Sequence, residues 1–370
     1  MKLYEFEAKN FFREFGIKVP VGRLISSPDE LLEAIKELGL PLTLKAQVLA
    51  GGRGKRGGVK VVREKGEAFE TFKRIKALNF GDERVNNILA EVYIEHKEEL
   101  YLSIALNRSE NHYMLIASKE GGVDVENLKS KIVRSEILGR FDSRIGKQVG
   151  EALGIEEPLL KEFSLIVERI SKLTERLEAE LIEINPLVIK DGEFFALDAK
   201  IIVDDNSLFR KEELSKLRKL EGIEEESKKY GFSYVKLDGN IGVIGNGAGL
   251  VLASIDLVND FGLKPACFLD LGGGASKDRV FAALNLANSL PFTKAIFMNI
   301  FGGITNCVEV AQALIDLTKR EKIKPLYLRL SGSGSDEALA LLKNYKINIE
   351  VFNRAEDALE RMVKEMERWA

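Results

Sequence analysis

The chain contains few of the side chains that usually act as bases or nucleophiles. Only two histidines and two cysteines occur among its 370 residues, and the cysteines are Cys267 and Cys307. So few cysteines argue against a disulfide framework and are typical of proteins from a reducing cytosol. We therefore expect a cytoplasmic protein that does not complete demanding chemistry with its own residues alone.

Long apolar runs and blocks of like charge are also missing. No apolar run approaches the roughly 18 residues that a membrane-spanning helix needs, and the first residues lack the apolar core of a signal peptide. The net charge is −3, with 31% of the residues charged, so neither a nucleic acid nor a membrane surface is the expected partner. The length suits two or three domains with full hydrophobic cores.

Glycine-rich turns are abundant in the last part of the chain. Four of them each follow an apolar run and precede an amphipathic segment, and they span residues 245–249, 272–276, 302–305 and 331–335. The apolar runs at 241–244, 266–269, 295–300 and 325–330 recur about 30 residues apart, which predicts βα units and a parallel sheet with helices on both faces. Backbone N–H groups at such turns bind anions, and ligands of parallel sheets lie at the carboxyl ends of the strands.

The N-terminal part mixes helices and strands. It is predicted to contain helices at 5–15 and from residue 27 onward, strands at 42–48 and 59–62, a long helix with an apolar face from Phe163 to Leu177, and a hairpin of strands 181–189 and 193–197. We expect one unit at residues 1–225 and a second at 233–370. The charged stretch at 218–230 is either a linker or a solvated helix.

Lys45 stands in an apolar strand beside the glycine-rich loop at residues 51–58. A lysine so placed can pair with nucleotide phosphates while the loop closes over them, as the glycine-rich loop of kinases does. The loop formally matches a dinucleotide fingerprint, but a strand follows it where that fingerprint requires a helix. The alternative is a mobile surface hairpin without a ligand.

Acidic side chains follow the apolar strands of the same region. Glu91 ends one such strand and Glu99 lies eight residues further on. An acid at a strand end can accept a hydrogen bond from a ribose hydroxyl or from the amino group of adenine. A solvated strand end is the alternative for either residue taken alone.

Glu183 and Asn185 alternate with isoleucines, so both polar side chains face one side of a predicted strand. Asp198 is expected on the hairpin partner of that strand, where its side chain could face the same side. A carboxylate and an amide oxygen are hard ligands that suit Mg²⁺ bridging nucleotide phosphates. Polar groups that face inward from apolar strands are otherwise costly to bury.

A dinucleotide-binding oxidoreductase is a competing interpretation of the turn at 245–249. Asp270 follows at about the distance of a ribose-binding acid, about 20 residues in the fingerprint. Leu250, however, stands where the fingerprint requires a glycine, which disfavours nicotinamide binding. His96 and His112 lie in polar contexts and are expected at the surface, and Cys307 is expected to be a small buried helix residue.

Several motifs occur in one order along the chain and carry a family resemblance. They include residues 3–9, Lys45-Ala46-Gln47-Val48 with Gly51-Gly52-Arg53-Gly54-Lys55, Glu183-Ile184-Asn185-Pro186, Asn246-Gly247-Ala248-Gly249-Leu250 and Asn299-Ile300-Phe301-Gly302-Gly303-Ile304. Over essentially its whole length the chain resembles the β subunits of succinate–CoA ligases, the nucleoside-triphosphate-forming enzymes of the citric acid cycle. The resemblance implies an N-terminal ATP-grasp domain, with a smaller lobe at about residues 20–95, followed by a flavodoxin-like, doubly wound parallel-sheet domain.

The resemblance also implies roles for individual residues. Nucleotide-binding positions fall on Lys45, Gly52, Arg53, Gly54, Glu91, Ile94 and Glu99. The ligands of one Mg²⁺ ion fall on Asn185 and Asp198, and the catalytic acid that steadies a phosphohistidine falls on Glu183. Succinate-side contacts fall on Asn246, Gly303, Ile304 and Thr305. The helix expected to begin near Gly273 would direct its N-terminal dipole at the phosphohistidine.

The implied activity is the reversible conversion of succinate, CoA and a nucleoside triphosphate to succinyl-CoA, a nucleoside diphosphate and phosphate. The phosphohistidine belongs to the family's α subunit, in an αβ or α₂β₂ assembly, and this accounts for the scarcity of bases. Pro20 is shared with the ATP-preferring members of this family, so the resemblance implies ATP and ADP as substrates, with GTP and GDP possible. Malate–CoA ligase, citryl-CoA synthetase and a non-catalytic nucleotide-responsive subunit are the alternatives. Ile94 and residues 199–205 depart from the usual family pattern.

Overall fold

The computed structural model describes residues 1–81, 83–122, 132–137, 143–217, 223–345 and 349–366. The chain divides into two compact units, Met1–Arg218 and Lys219–Ala370, which we call the first and the second unit. Part of the charged stretch is a helix, Ile223–Tyr230. The expected domain bounds of 1–225 and 233–370 remain predictions.

The first unit starts with helices and short strands. These are α1 (Glu5–Glu14), β1 (Gly22–Ile25), α2 (Pro28–Leu38), β2 (Leu42–Gln47), β3 (Val59–Val62), α3 (Lys65–Lys76), β4 (Asn79–Phe80), β5 (Glu83–Arg84) and β6 (Asn87–Val92). Four strands form an antiparallel sheet in the order β1-β6-β2-β3. The second helix begins where predicted, because the Ser27 side chain accepts from the Glu30 N–H and proline suits the first helical position. Apolar residues of α2 and α3, such as Leu31 and Phe72, pack in one core with those of the sheet.

A six-stranded antiparallel sheet follows in the first unit. Its elements are β7 (Glu99–Asn107), β8 (His112–Ser118), β9 (Ile132–Ile137), α4 (Ser143–Ala152), α5 (Leu159–Leu177), β10 (Ala179–Lys190), β11 (Glu193–Ala196) and β12 (Lys200–Val203), then a 3-10 helix (Asp205–Arg210) and α6 (Glu212–Leu217). The strand order is β11-β10-β7-β8-β9, and β12 also pairs with β10. The predicted apolar face of α5 is confirmed, since its residues are buried in the same core as the sheet.

The hairpin of β10 and β11 is closed by Asp191 and Gly192, which both have positive φ, 51° and 78°. This is the backbone that a two-residue hairpin turn requires. Asp198 lies beyond β11, in the connection to β12, so its predicted place on the partner strand is wrong. The ladder stops here because Pro186 has no N–H to donate, although its carbonyl still accepts from the Leu197 N–H at 3.0 Å.

The second unit is built on a six-stranded sheet. Its elements are α7 (Ile223–Tyr230), β13 (Ser233–Lys236), β14 (Ile241–Gly245), α8 (Ala248–Asp260), β15 (Pro265–Asp270), α9 (Lys277–Ser289), β16 (Ala295–Gly302), α10 (Cys307–Arg320), β17 (Leu326–Gly332), α11 (Ser335–Asn344), β18 (Val351–Phe352) and α12 (Ala355–Met366). The order is β13-β15-β14-β16-β17-β18, with only β13 antiparallel to its neighbour among the pairs described. Two apolar clusters flank the sheet, so the predicted βα units are confirmed.

One helix of the second unit begins later than predicted. The segment after β15 has Gly272 and Gly274 at φ 68° and 66°, a left-handed backbone that is not helical. The helix α9 therefore starts at Lys277 and not near Gly273, with Ser276 as its N-cap. In the described part of the chain, no helix combines the length and the apolar character needed to cross a membrane.

Candidate functional site

A group of charged side chains, largely buried except for the partly exposed Asp198, joins separate segments of the first unit, and we call it the charge cluster. Its members are Glu5, Lys9, Lys45, Arg53, Glu91 and Asp198. Helix α1 carries the first two, β2 and β6 carry Lys45 and Glu91, and the remaining two lie in loops. Three cations thus face three carboxylates, so the cluster as a whole is neutral.

Two lysines occupy the centre of the charge cluster. Lys45 Nζ lies 3.0 Å from Glu5 Oε1 and 2.9 Å from Glu91 Oε2. Lys9 Nζ lies 2.7 and 2.6 Å from the two oxygens of Glu91 and 2.8 Å from Glu5 Oε1. Both ammonium groups also donate to the carbonyl of Leu197. The two lysines therefore connect α1, the four-stranded sheet and the chain after β11.

The charges of the cluster shift each other's titration. Burial raises the pKa of Glu5, but the charges of Arg53, Lys45 and Lys9 outweigh it and hold that pKa well below its usual value. Burial conversely lowers the pKa of Lys45, and the carboxylates of Glu5, Glu91 and Asp198 outweigh it, so the pKa rises. Both side chains stay charged at neutral pH.

Arg53 connects the charge cluster to the glycine-rich loop. Its guanidinium donates to Asp198 Oδ1 at 2.7 Å, to Glu5 Oε2 at 2.5 Å and to the Ala46 carbonyl at 3.0 Å. A Cβ added at Gly52 or Gly54 would meet no other atom within 4 Å. The space over this turn is therefore open, as a loop that covers phosphates requires.

The carboxylate of Glu91 is inaccessible to solvent in this arrangement. It is 0% exposed, with both oxygens held by Lys9 and one also by Lys45. The sequence interpretation named Glu91 and Lys45 but missed Glu5 and Lys9. A signal was present, because Lys9 follows Glu5 by four residues and stands beside Ala8 and Phe12 on the buried side of α1.

Glu183 lies on β10 and faces polar neighbours. Its Oε2 is 3.1 Å from the Tyr101 hydroxyl, and Lys200 Nζ lies 4.0 Å from its Oε1. The Tyr101 hydroxyl is also 2.9 Å from Ser103 Oγ. Burial and the nearby carboxylate raise the pKa of Tyr101, so its hydroxyl keeps its proton as a donor.

Asn185 and Asp198 occupy facing positions. Strands β11 and β12 both pair with β10 in one register, with Leu187 opposite Ala196 and Glu183 opposite Lys200. Continuing that register across the gap places Asn185 opposite Asp198. Their oxygens now accept from the backbone N–H groups of Gly122 and Ala199, both at 2.7 Å.

This pair is chemically suited to Mg²⁺. A carboxylate and an amide oxygen are hard ligands, and Mg²⁺ commonly takes one or two protein ligands and fills its shell with water and phosphate oxygens. Asp198 is 38% exposed at its side chain, so a ligand can reach it. Within the described residues, no group of three or more His, Cys, Asp or Glu could form an all-protein metal centre.

Glu99 and Ile94 lie where the four-stranded sheet of the first unit is joined to the six-stranded sheet. Ile94 belongs to the connection from β6 to β7 and its side chain is buried, so a ligand would meet its backbone. A cavity of about 960 Å³ opens beside Glu99, between the start of β7, residues 119–121 and residues 154–159. Its size suits a nucleotide, but its lining includes no member of the charge cluster, so we place the candidate phosphate site at the charge cluster instead.

The remaining predicted residues gather at one edge of the sheet in the second unit. Asn246 exchanges two hydrogen bonds with the backbone of Phe301, at 2.8 and 2.9 Å. Thr305 is buried and its Oγ1 accepts from the Ala275 N–H at 3.4 Å, whereas Ile304 is 87% exposed. Gly303 belongs to the same turn and has no neighbour within 4 Å of an added Cβ.

Asp270 links two of these turns. Its Oδ1 accepts from the Gly247 N–H at 2.6 Å and from the Gly272 N–H at 2.8 Å. This carboxylate was the ribose-binding acid of the oxidoreductase interpretation. Its bonds within the protein give it a structural task, which further disfavours that interpretation.

Comparison with known proteins defines the class and then the family. Residues 2–189 match the model of the ATP-grasp domain and residues 244–363 match the model of the CoA-ligase domain. A succinate–CoA ligase [ADP-forming] β subunit from Ignicoccus hospitalis is 41% identical over 98% of this chain and 99% of that protein. A [GDP-forming] β subunit from Thermus thermophilus is 41% identical over 93% of each. The chain belongs to the family of succinate–CoA ligase β subunits.

A solved structure confirms the predicted fold. ATP citrate lyase from Methanothrix soehngenii, in complex with citrate and coenzyme A, matches with a TM-score of 0.74 over 97% of this chain and 99% of that chain. The sequence identity is 19%, so this similarity concerns the fold alone. The predicted order of an ATP-grasp domain followed by a CoA-ligase domain is confirmed.

Proposed function

We propose that this chain binds the nucleotide and the carboxylic acid for an acid–thiol ligase whose phosphohistidine lies on a partner α subunit. The reaction is the reversible formation of succinyl-CoA from succinate, CoA and a nucleoside triphosphate. The proposal rests mainly on the charge cluster, which keeps Lys45 and Arg53 permanently charged beside an open glycine turn. Phosphoryl transfer depends chiefly on positioning phosphates and neutralising their charge.

Lys45 and Arg53 would offset the negative charge of the nucleotide phosphates. Glu91 then acts indirectly, since its buried carboxylate fixes Lys45 in place. Glu5 does the same for both cations. A cation held by buried carboxylates needs little rearrangement when the ligand arrives, and such preorganisation supports catalysis.

Asn185 and Asp198 would hold one Mg²⁺ ion. A Mg²⁺ ion held by these two residues would supply positive charge to offset the negative charge of the nucleotide phosphates. Arg53 donates to Asp198 Oδ1, which would keep this carboxylate oriented toward the ion. Gly122 would keep the Asn185 side chain oriented through its N–H.

Glu183 would orient the phosphohistidine of the α subunit. Tyr101 and Lys200 approach this carboxylate from the two strands beside β10, which fixes its position on the sheet. A carboxylate that accepts from an imidazole N–H selects the tautomer and stabilises positive charge on the ring. In the second unit, Asn246 and the turn of Gly303, Ile304 and Thr305 would contact the acid and phosphate.

We propose ADP rather than GDP as the nucleotide, and succinate rather than malate or citrate as the acid. Relatives at about the same identity include both [ADP-forming] and [GDP-forming] β subunits, with the former more frequent among the most similar. The ATP citrate lyase, which was solved in complex with citrate and coenzyme A, is only 19% identical to this chain. The assembly with the α subunit is proposed as αβ or α₂β₂.

Calorimetric titration with ADP tests the nucleotide and metal assignments. Asp198→Ala should weaken Mg-ADP binding by roughly tenfold or more, because a hydrogen bond or metal contact of a charged group is lost. It should affect ADP without Mg²⁺ much less. Asp29→Ala, at an exposed helix start, is the matched control. Equal Mg-ADP affinity for Asp198→Ala and the unmodified chain would remove the metal assignment.

The shared site is tested by separating the subunits. The purified chain should form no CoA thioester from any of a panel of dicarboxylic acids, and turnover should appear when the α subunit is added. Glu183→Gln should lower ³²P-phosphoenzyme formation in that complex. Substantial turnover by the chain alone would contradict the proposal.

A further inference from the structure

His96 bridges two residues that the proposed function assigns to the nucleotide. It lies in residues 93–98, which connect β6 with β7 and so join the four-stranded sheet of the first unit to the six-stranded sheet. Its Nδ1 is 2.8 Å from the Ile94 carbonyl oxygen, and its Nε2 is 2.9 Å from Glu99 Oε1. The side chain is 17% exposed, so the ring is packed into the connection.

Both partners of this ring are hydrogen-bond acceptors. A backbone carbonyl only accepts, so Nδ1 is the donor toward Ile94, and an N–H at Nε2 faces Glu99 Oε1. Such a bond to a carboxylate is charge-assisted and stronger than a neutral one. The ring thus fixes the carboxylate of Glu99 relative to the backbone at Ile94.

The other side of the Glu99 carboxylate is confined by the backbone. A Cβ added at Gly122, whose φ is +70°, would lie 2.0 Å from Glu99 Oε2. The Gly121 N–H also donates to the Glu99 carbonyl at 2.7 Å. Since the histidine holds one oxygen and the glycine turn limits the other, Glu99 has one defined orientation.

A carboxylate in this position suits a neutral donor and not a phosphate. Glu99 and the phosphates are both negative, and the cations of the first unit's charge cluster already suit the phosphates. A ribose hydroxyl is a donor, and a carboxylate has free acceptor positions beyond the one that the histidine occupies.

We propose that His96 is a positioning residue, which orients Glu99 to accept a hydrogen bond from a ribose hydroxyl of the bound nucleotide. The inference rests on the proposed nucleotide-binding function and deepens it, since it adds a residue that orients an acid already expected to contact the nucleotide. The sequence interpretation had placed His96 at the surface without a role.

Two isosteric variants test the two hydrogen bonds of the His96 ring one at a time. His96→Gln keeps a donor near the place of Nε2, and His96→Asn keeps one near the place of Nδ1. Calorimetry on the full chain with Mg²⁺ would compare ADP, 2′-deoxy-ADP and 3′-deoxy-ADP. The unmodified chain should bind ADP about tenfold or more tightly than one deoxy analogue, the usual loss for a hydrogen bond to a charged group.

The preference for ADP over that analogue should persist in His96→Gln and fall to within about twofold in His96→Asn, since only the former still reaches Glu99. Glu99→Ala should also abolish it, and the His96→Asn/Glu99→Ala double variant should lose no more than Glu99→Ala, because the two residues act as one unit. His112→Asn is the control and should keep the full preference. Melting curves would show that each variant is folded.

Several results would overturn the inference. An equal loss of affinity for all three ligands would indicate a merely structural role for His96, and a full preference in Glu99→Ala would remove the ribose contact. Equal binding of ADP and both deoxy analogues by the unmodified chain would overturn this inference and leave the nucleotide site standing. A chain that binds no ADP at all would overturn both proposals.

Discussion

Replacing Lys9 with methionine should destabilise the first unit severely. The ammonium group of Lys9 is 0% exposed and contacts both oxygens of Glu91, one oxygen of Glu5 and the Leu197 carbonyl. Methionine retains much of the apolar length of the side chain. The substitution therefore removes the charge and its bonds and leaves most of the packing.

The magnitude follows from the charge balance of the cluster. Without Lys9, three carboxylates face two cations, and a buried pair has lost one partner. Breaking a buried ion pair in this way costs about 3–5 kcal/mol. For a unit of some 200 residues this corresponds to a drop in melting temperature of roughly 6–20 °C.

The assay is thermal unfolding of the full chain followed by circular dichroism. Lys172→Met is the matched control, because Lys172 pairs with Glu168 at 2.6 Å on the same unit but is 63% exposed. An exposed pair of this kind contributes about 0–1 kcal/mol. If Lys9→Met melts as close to the unmodified chain as Lys172→Met does, the reasoning about the charge cluster is wrong.

The pH dependence gives an independent check. The pKa of Glu5 is lowered in the folded chain, so its ionisation stabilises the fold above its usual pKa of 4.5, and this stability is lost as the pH falls below that value. In Lys9→Met one of the lowering charges is missing, so less stability is lost in acid. The gap between the two proteins should be widest near neutral pH and should narrow below about pH 4.5. A gap that widens in acid would contradict the assigned cause.

Two further substitutions test single contacts. Gly122→Ala should weaken Mg-ADP binding measured by calorimetry and cost about 1–3 kcal/mol of stability, because φ is +70° and the new Cβ would lie 2.0 Å from Glu99 Oε2. Asp270→Ala should lower the melting temperature of the second unit, because two backbone N–H groups lose their acceptor at about 1–3 kcal/mol each. Proteolysis of the turns it joins should also become faster.

Each of these has a control in the same chain. Gly39→Ala also places a side chain at positive φ, 76°, but with no atom within 4 Å of the new Cβ. It should lose stability and keep the affinity for Mg-ADP, and equal losses of affinity in both glycine variants would contradict the predicted clash. Asp256→Ala, on an exposed face of α8, should leave both the melting temperature and the proteolysis rate unchanged.

Local patterns predicted the fold well. Apolar runs bounded by glycine predicted β14 to β17, and Asp191-Gly192 predicted the hairpin of β10 and β11. Both signals depend only on neighbouring residues. The predicted start of α9 was wrong, because a run of glycines can adopt several backbone conformations, left-handed ones included. The sequence alone does not say which of them is adopted. Asp198 was assigned to β11, but this strand ends two residues earlier, at Ala196. The strand pairing is interrupted there because Pro186 on β10 has no N–H to donate.

The candidate site was predictable only in part. Lys45, Arg53 and Asp198 were named from their types and motifs, and the structure brings them into one cluster. Glu5 and Lys9 were missed, since their partners lie on a strand and a loop far along the chain, and a helix pattern says nothing about such partners. His96 was missed for the opposite reason, because its partners are only two and three residues away and depend on the course of a loop.

The charge cluster also has a consequence for the order in which the chain can fold during synthesis. The bond from Lys9 to the Leu197 carbonyl spans 188 residues, so it cannot form until most of the first unit has left the ribosome. Until then, the first 92 residues can form their four-stranded sheet, but Lys9 and Lys45 lack the Leu197 carbonyl as an acceptor. Joining such distant segments costs chain entropy before it returns any stability. The cluster should therefore be among the last parts of the unit to close, and the emerging chain should remain open to chaperones at α1 until β11 has been made.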